Sequence, residues 1–149
     1  MIGTYTVSLA AKRVEFFLEL KKNITVIAGN SGSGKTTFVN LLDTHMRSPR
    51  SVLLMCDVPV IHLIEQNWAG TLRSISNSIV VLDADDRFVI DEGETFSDIV
   101  KNTDNYFVIM SRNPLNFLPD NIKEEFEFYR DNGDGSTRTR VCARPLSSK

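Results

Sequence analysis

One run of residues carries most of the chemistry in this chain. Gly29-Asn30-Ser31-Gly32-Ser33-Gly34-Lys35-Thr36 fits the pattern G-x-x-x-x-G-K-[ST] without a mismatch. Each part of the pattern has a physical task. The glycines let the backbone curl so that successive N–H groups converge on phosphate oxygens. A helix beginning near Lys35 adds the positive end of its dipole. Lys35 places a point charge between the β- and γ-phosphates, and the Thr36 hydroxyl is an oxygen ligand suited to Mg²⁺. Thr37 reaches the region of the α-phosphate. By average composition such a match arises by chance in on the order of one chain in a few hundred of this length.

A second feature is acidic. Ile79-Val80-Val81-Leu82-Asp83 is an apolar run ending in a carboxylate, which suits a hard cation held near phosphates. The residue after it is Ala84, which has no carboxylate to polarise an attacking water. Asp85 stands one position further on. Phe88-Val89-Ile90-Asp91-Glu92 contains an Asp-Glu pair behind a run short for a central strand, which makes Glu92 the other candidate base. Ser111-Arg112-Asn113 follows a further apolar run. It is either a polar turn ahead of Pro114 or a γ-phosphate sensor in which Arg112 neutralises developing charge. His45 and His62 are isolated, with no metal-ligand spacing. Trp68 is read as core.

These residues need elements to position them. Ile24 to Ala28 is a β-branched run of the kind buried on both faces, and it leads directly into the glycines. Phe38, Leu41, Leu42 and His45 recur at helical spacing after them. Ser51 to Cys56, Ser78 to Leu82 and Tyr106 to Met110 read as three more buried strands. Residues 60–74, with Ile61, Ile64, Trp68 and Leu72 at helical intervals, read as an amphipathic helix, and Thr95 to Lys101 as a short one. Thr4 to Leu9 with Val14 to Leu20 predicts an N-terminal β-hairpin. Alternation from Glu125 to Arg130, a turn over Asp131 to Gly135 and alternation from Thr137 to Ala143 predict a C-terminal β-hairpin. Strands alternating with helices predict an α/β three-layer fold with a mainly parallel central sheet and a hairpin at each end.

Length and composition agree with one nucleotide-binding domain over residues 1–149. The chain is 42% hydrophobic and 24% charged, which excludes a disordered class. No apolar run approaches the ~20 residues of a membrane span, and Met1 to Leu9 lacks the layout of a secretory signal. Cys56 and Cys142 form no Cys-x-x-Cys pair and fit a reducing, cytoplasmic setting. The net charge of −2 disfavours a broad nucleic-acid surface. Arg138, Arg140 and Arg144 nevertheless collect near the C-terminus, either as a solvated edge strand protected by charge or as a docking face for nucleic acid or an acidic partner.

The run Gly29 to Thr36 and the strand ending at Asp83 resemble the P-loop NTPase superfamily. The order of hairpin, Ile-Thr-Val-Ile-Ala strand and loop is similar to its ABC-type and related cores, in the branch with an additional strand beside the loop strand. The Leu-Ser-Gly-Gly signature of the ABC type is absent. So is the guanine-reading Asn-Lys-x-Asp, which leaves adenine as the expected base. Gly29 to Phe38 and, loosely, Glu125 to Cys142 also resemble the small ATPases of the bacterial tRNA threonylcarbamoyladenosine-modification complex, without that family's Ser-Pro-Thr segment or Glu-Trp pair. Asn105 to Pro119 is similar to bacterial ATP-binding proteins of no assigned activity. The resemblance implies ATP and Mg²⁺ as ligands, Thr36 and Asp83 as metal-holding residues, and Lys35, Asp85, Glu92 and Arg112 as the catalytic set. It implies a slow hydrolase or nucleotide switch working with a protein partner or a second copy. The alternatives are a kinase using Asp57 as base and a non-hydrolysing, nucleotide-gated binding module.

Overall fold

The computed structural model describes residues 2–29, 34–63, 68–83, 98, 103–112, 115, 118, 120–131 and 138–146. Its strands are β1 (Tyr5–Ala10), β2 (Val14–Leu20), β3 (Ile24–Ala28), β4 (Leu53–Met55), β5 (Val60–His62), β6 (Ser78–Asp83), β7 (Asn105–Ser111), β8 (Lys123–Asp131) and β9 (Thr139–Pro145). Helix α1 spans Lys35–Arg47 and α2 spans Trp68–Ser74. All nine strands form one sheet, in the order β4-β1-β2-β9-β8-β3-β7-β6-β5.

The sheet has two characters. From β8 through β3, β7 and β6 to β5 every pairing is parallel. Here β3 and β7 are buried along their whole lengths, as continuous apolar runs require. Beyond β8 the pairing is mixed: β9 runs antiparallel to β8 and parallel to β2, while β1 is antiparallel to both β2 and β4. In β1 and β2 alternate residues are buried, with Val7, Leu9, Phe16, Leu18 and Leu20 inward.

That alternation overturns the expected three-layer α/β fold with a mainly parallel sheet. Strands with a polar face carry no helix on it, so a helix layer cannot extend over that half. Among the described residues about half are in strands and a fifth in helices, with two α-helices in all. The terminal hairpins are not appendages either, because β2–β9 pairing merges both into the one sheet.

Two central elements also differ from expectation. The strand at 51–56 shrinks to β4, an edge strand whose Leu53 and Met55 are exposed. The start of the expected helix at 60–74 is β5, because Val60 and its neighbours pair with β6: the Ile79 N–H donates to the Pro59 carbonyl and the Leu63 N–H to the Val81 carbonyl. Tertiary pairing outweighs the local helical spacing here. The helix expected at 95–101 falls almost wholly outside the described residues, as do the Trp68 side chain and the turn at 132–137.

The connection between β4 and β5 dictates the overall curvature. These are the two edges of the sheet, yet only residues 56–59 separate them. Met55 to Val60 reaches at most ~18 Å, whereas nine strands laid flat would part their edges by ~38 Å. The sheet therefore curls into a half-barrel. Helix α1 lies in the trough, touching β1, β4 and β5. One apolar cluster fills the concave side, built on Phe38 and Leu42 of α1. A second covers the outer face of the parallel strands, using Leu72 of α2 with Leu115 and Leu118. Buried Asn105 ties the two ends of the α2–β6 turn to β7, donating to the Ile75 carbonyl and accepting from the Ser78 N–H at 3.0 Å each. Tyr106 donates to the Gly3 carbonyl at 2.6 Å, and burial, with Tyr5 and Glu124 nearby, raises its phenol above the ordinary value and keeps it a donor.

Phe38 holds α1 in the trough through its rings' contacts with Phe16, 5.4 Å away edge-on, and Phe128, 6.0 Å away. Phe38→Ala is expected to cost ~3–5 kcal/mol by urea unfolding, against under ~0.5 kcal/mol for Leu53→Ala on the exposed edge.

Candidate functional site

The strand β3 ends at Ala28, and α1 begins at Lys35. The chain passes from one to the other between two glycines with left-handed backbone, Gly29 at φ 141° and Gly34 at φ 105°. The Gly34 carbonyl accepts the Phe38 N–H at 2.9 Å, which starts the helix. The N-cap is Gly34, which has no side chain to cap that end, and no acidic residue lies in the first turn to offset the positive dipole end. Lys35 Nζ donates back to the Gly29 carbonyl across the mouth of the loop. Thr36 and Thr37 are exposed beside it. Asn30, Ser31, Gly32 and Ser33 lie outside the described residues.

The sheet register carries the other candidates to the same end. Asp83 pairs with Met110, and Met110 pairs with Ile27, so the Asp83 backbone sits level with the end of β3, two strands and ~10 Å away. Alternation places Asp83 on the face of Ile79 and Val81, which is the α1 face. Ser111 pairs with Ala28, and exposed Arg112 follows it. Lys35, Thr36, Thr37, Asp83, Ser111 and Arg112 therefore share the carboxyl edge of the parallel strands, the usual place for ligands on such sheets. Asp85, Glu92 and Asn113 lie outside the described residues.

Four sequence-derived candidates sit elsewhere. Asp57 is exposed on the β4–β5 linker, and β5 runs parallel to β6 from Val60 opposite Ile79, so Asp57 is at the amino edge, the wrong end for an acceptor base. Arg140 and Arg144 project from the convex face, by alternation with inward Val141. Arg140 lies over the Phe17 ring at 5.3 Å. Arg144 covers Tyr129 at 4.7 Å and donates to Glu127 Oε2 at 2.9 Å. Arg138 precedes β9 and is exposed. Since β9 lies between β2 and β8, these arginines do not guard an edge.

Two features escaped local reading. His62, taken as isolated, has Nδ1 2.7 Å from Asp43 Oδ1 and ties β5 to α1, leaving its buried Nε2 without a partner. A cleft of about 460 Å³ opens beside Gly34 and Thr37, walled by β2, β8 and β9 and lined by Arg13, Phe16, Tyr129, Arg130 and Thr139. Nothing local could have announced it, because its walls come from segments more than a hundred residues apart in sequence. His45 is also engaged, its Nδ1 2.6 Å from the Val52 carbonyl oxygen.

Among the described residues no helix is long and apolar enough to cross a membrane, and no three His, Cys, Asp or Glu side chains are gathered as a metal site. A scan against protein-family models finds no match, and neither does a comparison with curated proteins.

Gly34 marks the junction between loop and helix, and a Cβ there would meet Phe16 and Phe128 at 3.6 and 3.7 Å, ordinary contact distances. The cost of Gly34→Ala is therefore backbone strain alone, ~1–2 kcal/mol. Urea unfolding checks this; a neutral substitution would show that the left-handed backbone is not required.

Proposed function

We propose that this chain binds Mg·ATP through the loop between β3 and α1 and acts as a slow hydrolase or nucleotide switch. The observation that carries the reading is the junction itself: the complete phosphate-loop pattern spans from the end of a buried strand to a helix N-terminus whose N-cap is a glycine. The position of β7 between β3 and β6, with Asp83 on the helix face of the same edge, supports it. Lys35 rests on a loop carbonyl, an oxygen it would exchange for phosphate oxygens when nucleotide arrives. Thr36, exposed, and Asp83 supply oxygen donors of the kind Mg²⁺ prefers, beside which the substrate's phosphates would share the shell. When bound, the cation would neutralise charge on the β- and γ-phosphates.

Within that arrangement the helix amides orient the phosphates and Lys35 holds the β/γ bridge. Arg112, exposed at the end of β7, is the internal group available to offset charge on the transferring phosphoryl. Ala84 supplies no base after Asp83, so orienting the water falls to Asp85 or Glu92, or to a protein partner or a second copy. The non-hydrolysing module is the second reading, favoured by that same alanine. Asp57, the base of the kinase reading, lies at the opposite edge, which favours hydrolysis over that alternative. A cytoplasmic setting belongs to the proposal and is supported by the two free cysteines.

Titration calorimetry on the full chain tests the proposal. Lys35→Ala is expected to weaken Mg·ATP binding by ~10–100-fold in a folded protein. Unchanged affinity would refute the loop's role. Asp83→Asn is expected to remove the gain in affinity that Mg²⁺ brings while leaving metal-free binding intact; retention of that gain would move the metal to another carboxylate. Steady-state turnover is expected well below the ~10 s⁻¹ typical of enzymes. Faster turnover, lost on mutating Asp85 or Glu92, would show a complete site and end the switch reading.

A further inference from the structure

The cleft beside Thr37 carries a charge pattern that phosphate binding by the loop does not use. Two arginines, Arg13 and Arg130, line it, both exposed, and its described lining residues include no carboxylate. The backbone brings them together from opposite sides. The Arg13 carbonyl accepts the Thr139 N–H at 2.9 Å, and Arg130 pairs with Val141 on the other side of β9. Their strands are thus two spacings apart, ~10 Å, with the floor of the cleft between them. Phe16 and Phe128, both buried, close that floor, and Thr37 and Thr139 stand on its walls.

We propose that this cleft holds the purine and sugar of the bound nucleotide, with Arg13 and Arg130 flanking the ring. The inference rests on the phosphate-loop reading and extends it to the nucleoside. Continuity is the first argument: Gly34 closes the loop, Thr37 lies in the first turn of α1, and both line the cleft, so a nucleotide leaving the loop at its α-phosphate would enter here. Size is the second, since about 460 Å³ lies in the ~300–1,000 Å³ range of small-molecule sites. Chemistry is the third. Guanidinium groups present planar faces that stack on aromatic rings and donors that suit ring nitrogens, while hydroxyls accept from an exocyclic amine or the sugar. The buried phenylalanines are committed to one another, 5.3 Å apart, and leave the exposed arginines to meet the base.

Calorimetry with two probes, Mg·ATP and Mg·tripolyphosphate, tests this on the full chain. The wild type is expected to bind ATP about 10-fold tighter than tripolyphosphate, and R13Q/R130Q to erase that preference. Both positions are exposed, and circular dichroism checks that the variant is folded. R13K/R130K, which keeps charge but not planarity, is also expected to lack the preference. Equal affinity of the wild type for both probes, an equal loss for both probes in R13Q/R130Q, or a preference restored by lysine would each overturn the ring-flanking role while leaving the loop intact. If neither probe binds the wild type, the phosphate-loop reading fails and the cleft assignment falls with it.

Discussion

Three phenylalanines hold the loop end of the molecule together. Phe16 from β2, Phe38 from α1 and Phe128 from β8 meet with ring centroids 5.3 to 6.0 Å apart, directly beneath Gly34. They fix the N-terminus of α1 against two strands that are not neighbours of each other. The geometry of Lys35, Thr36 and Thr37 relative to β3 follows from that anchorage. So does the cleft, whose floor is made of two of the same rings. One apolar contact thus positions the start of α1 and shapes the space next to it.

The anchorage depends in turn on long-range pairing. Strand β2 reaches the site only because β9 runs beside it, from Val14 opposite Thr139 to Phe17 opposite Cys142. The four-residue link between the sheet's edges then forces the curl that encloses α1. His62 and Asp43 fasten the other side of the helix to β5. Helix α1 is therefore held from both flanks. A helix end held so firmly would meet the proposed phosphates with little reorganisation, which is what their electrostatic stabilisation requires.

Much of this was legible in the sequence where the signal was local. The buried runs at Ile24 to Ala28, Ser78 to Leu82 and Tyr106 to Met110 are strands, alternation marked β1, β8 and β9, and aromatic and aliphatic content marked β2. The placement of Lys35, Thr36 and Asp83 on one edge follows from strands ending where their apolar runs end. What local pattern could not convey was partnership. The helical spacing of Ile61 and Leu72 concealed a strand that exists because β6 lies beside it. The arginines of β9 read as guards of an edge, but pairing with β2 places them inside the sheet, stacked on Phe17 and Tyr129. Arg13 and Arg130 showed no relation in sequence, since only the merger of two hairpins makes them neighbours.

The central claim is that nucleotide phosphates seat on the β3–α1 junction, with the metal held toward β6. Amide chemical shifts of the 149-residue chain, followed by NMR as Mg·ATP is added, test it most directly. The account predicts the largest changes at Gly34 to Thr37, with Asp83 responding when Mg²⁺ is present and not in its absence. Saturable binding that leaves Gly34 to Thr37 unmoved would contradict it.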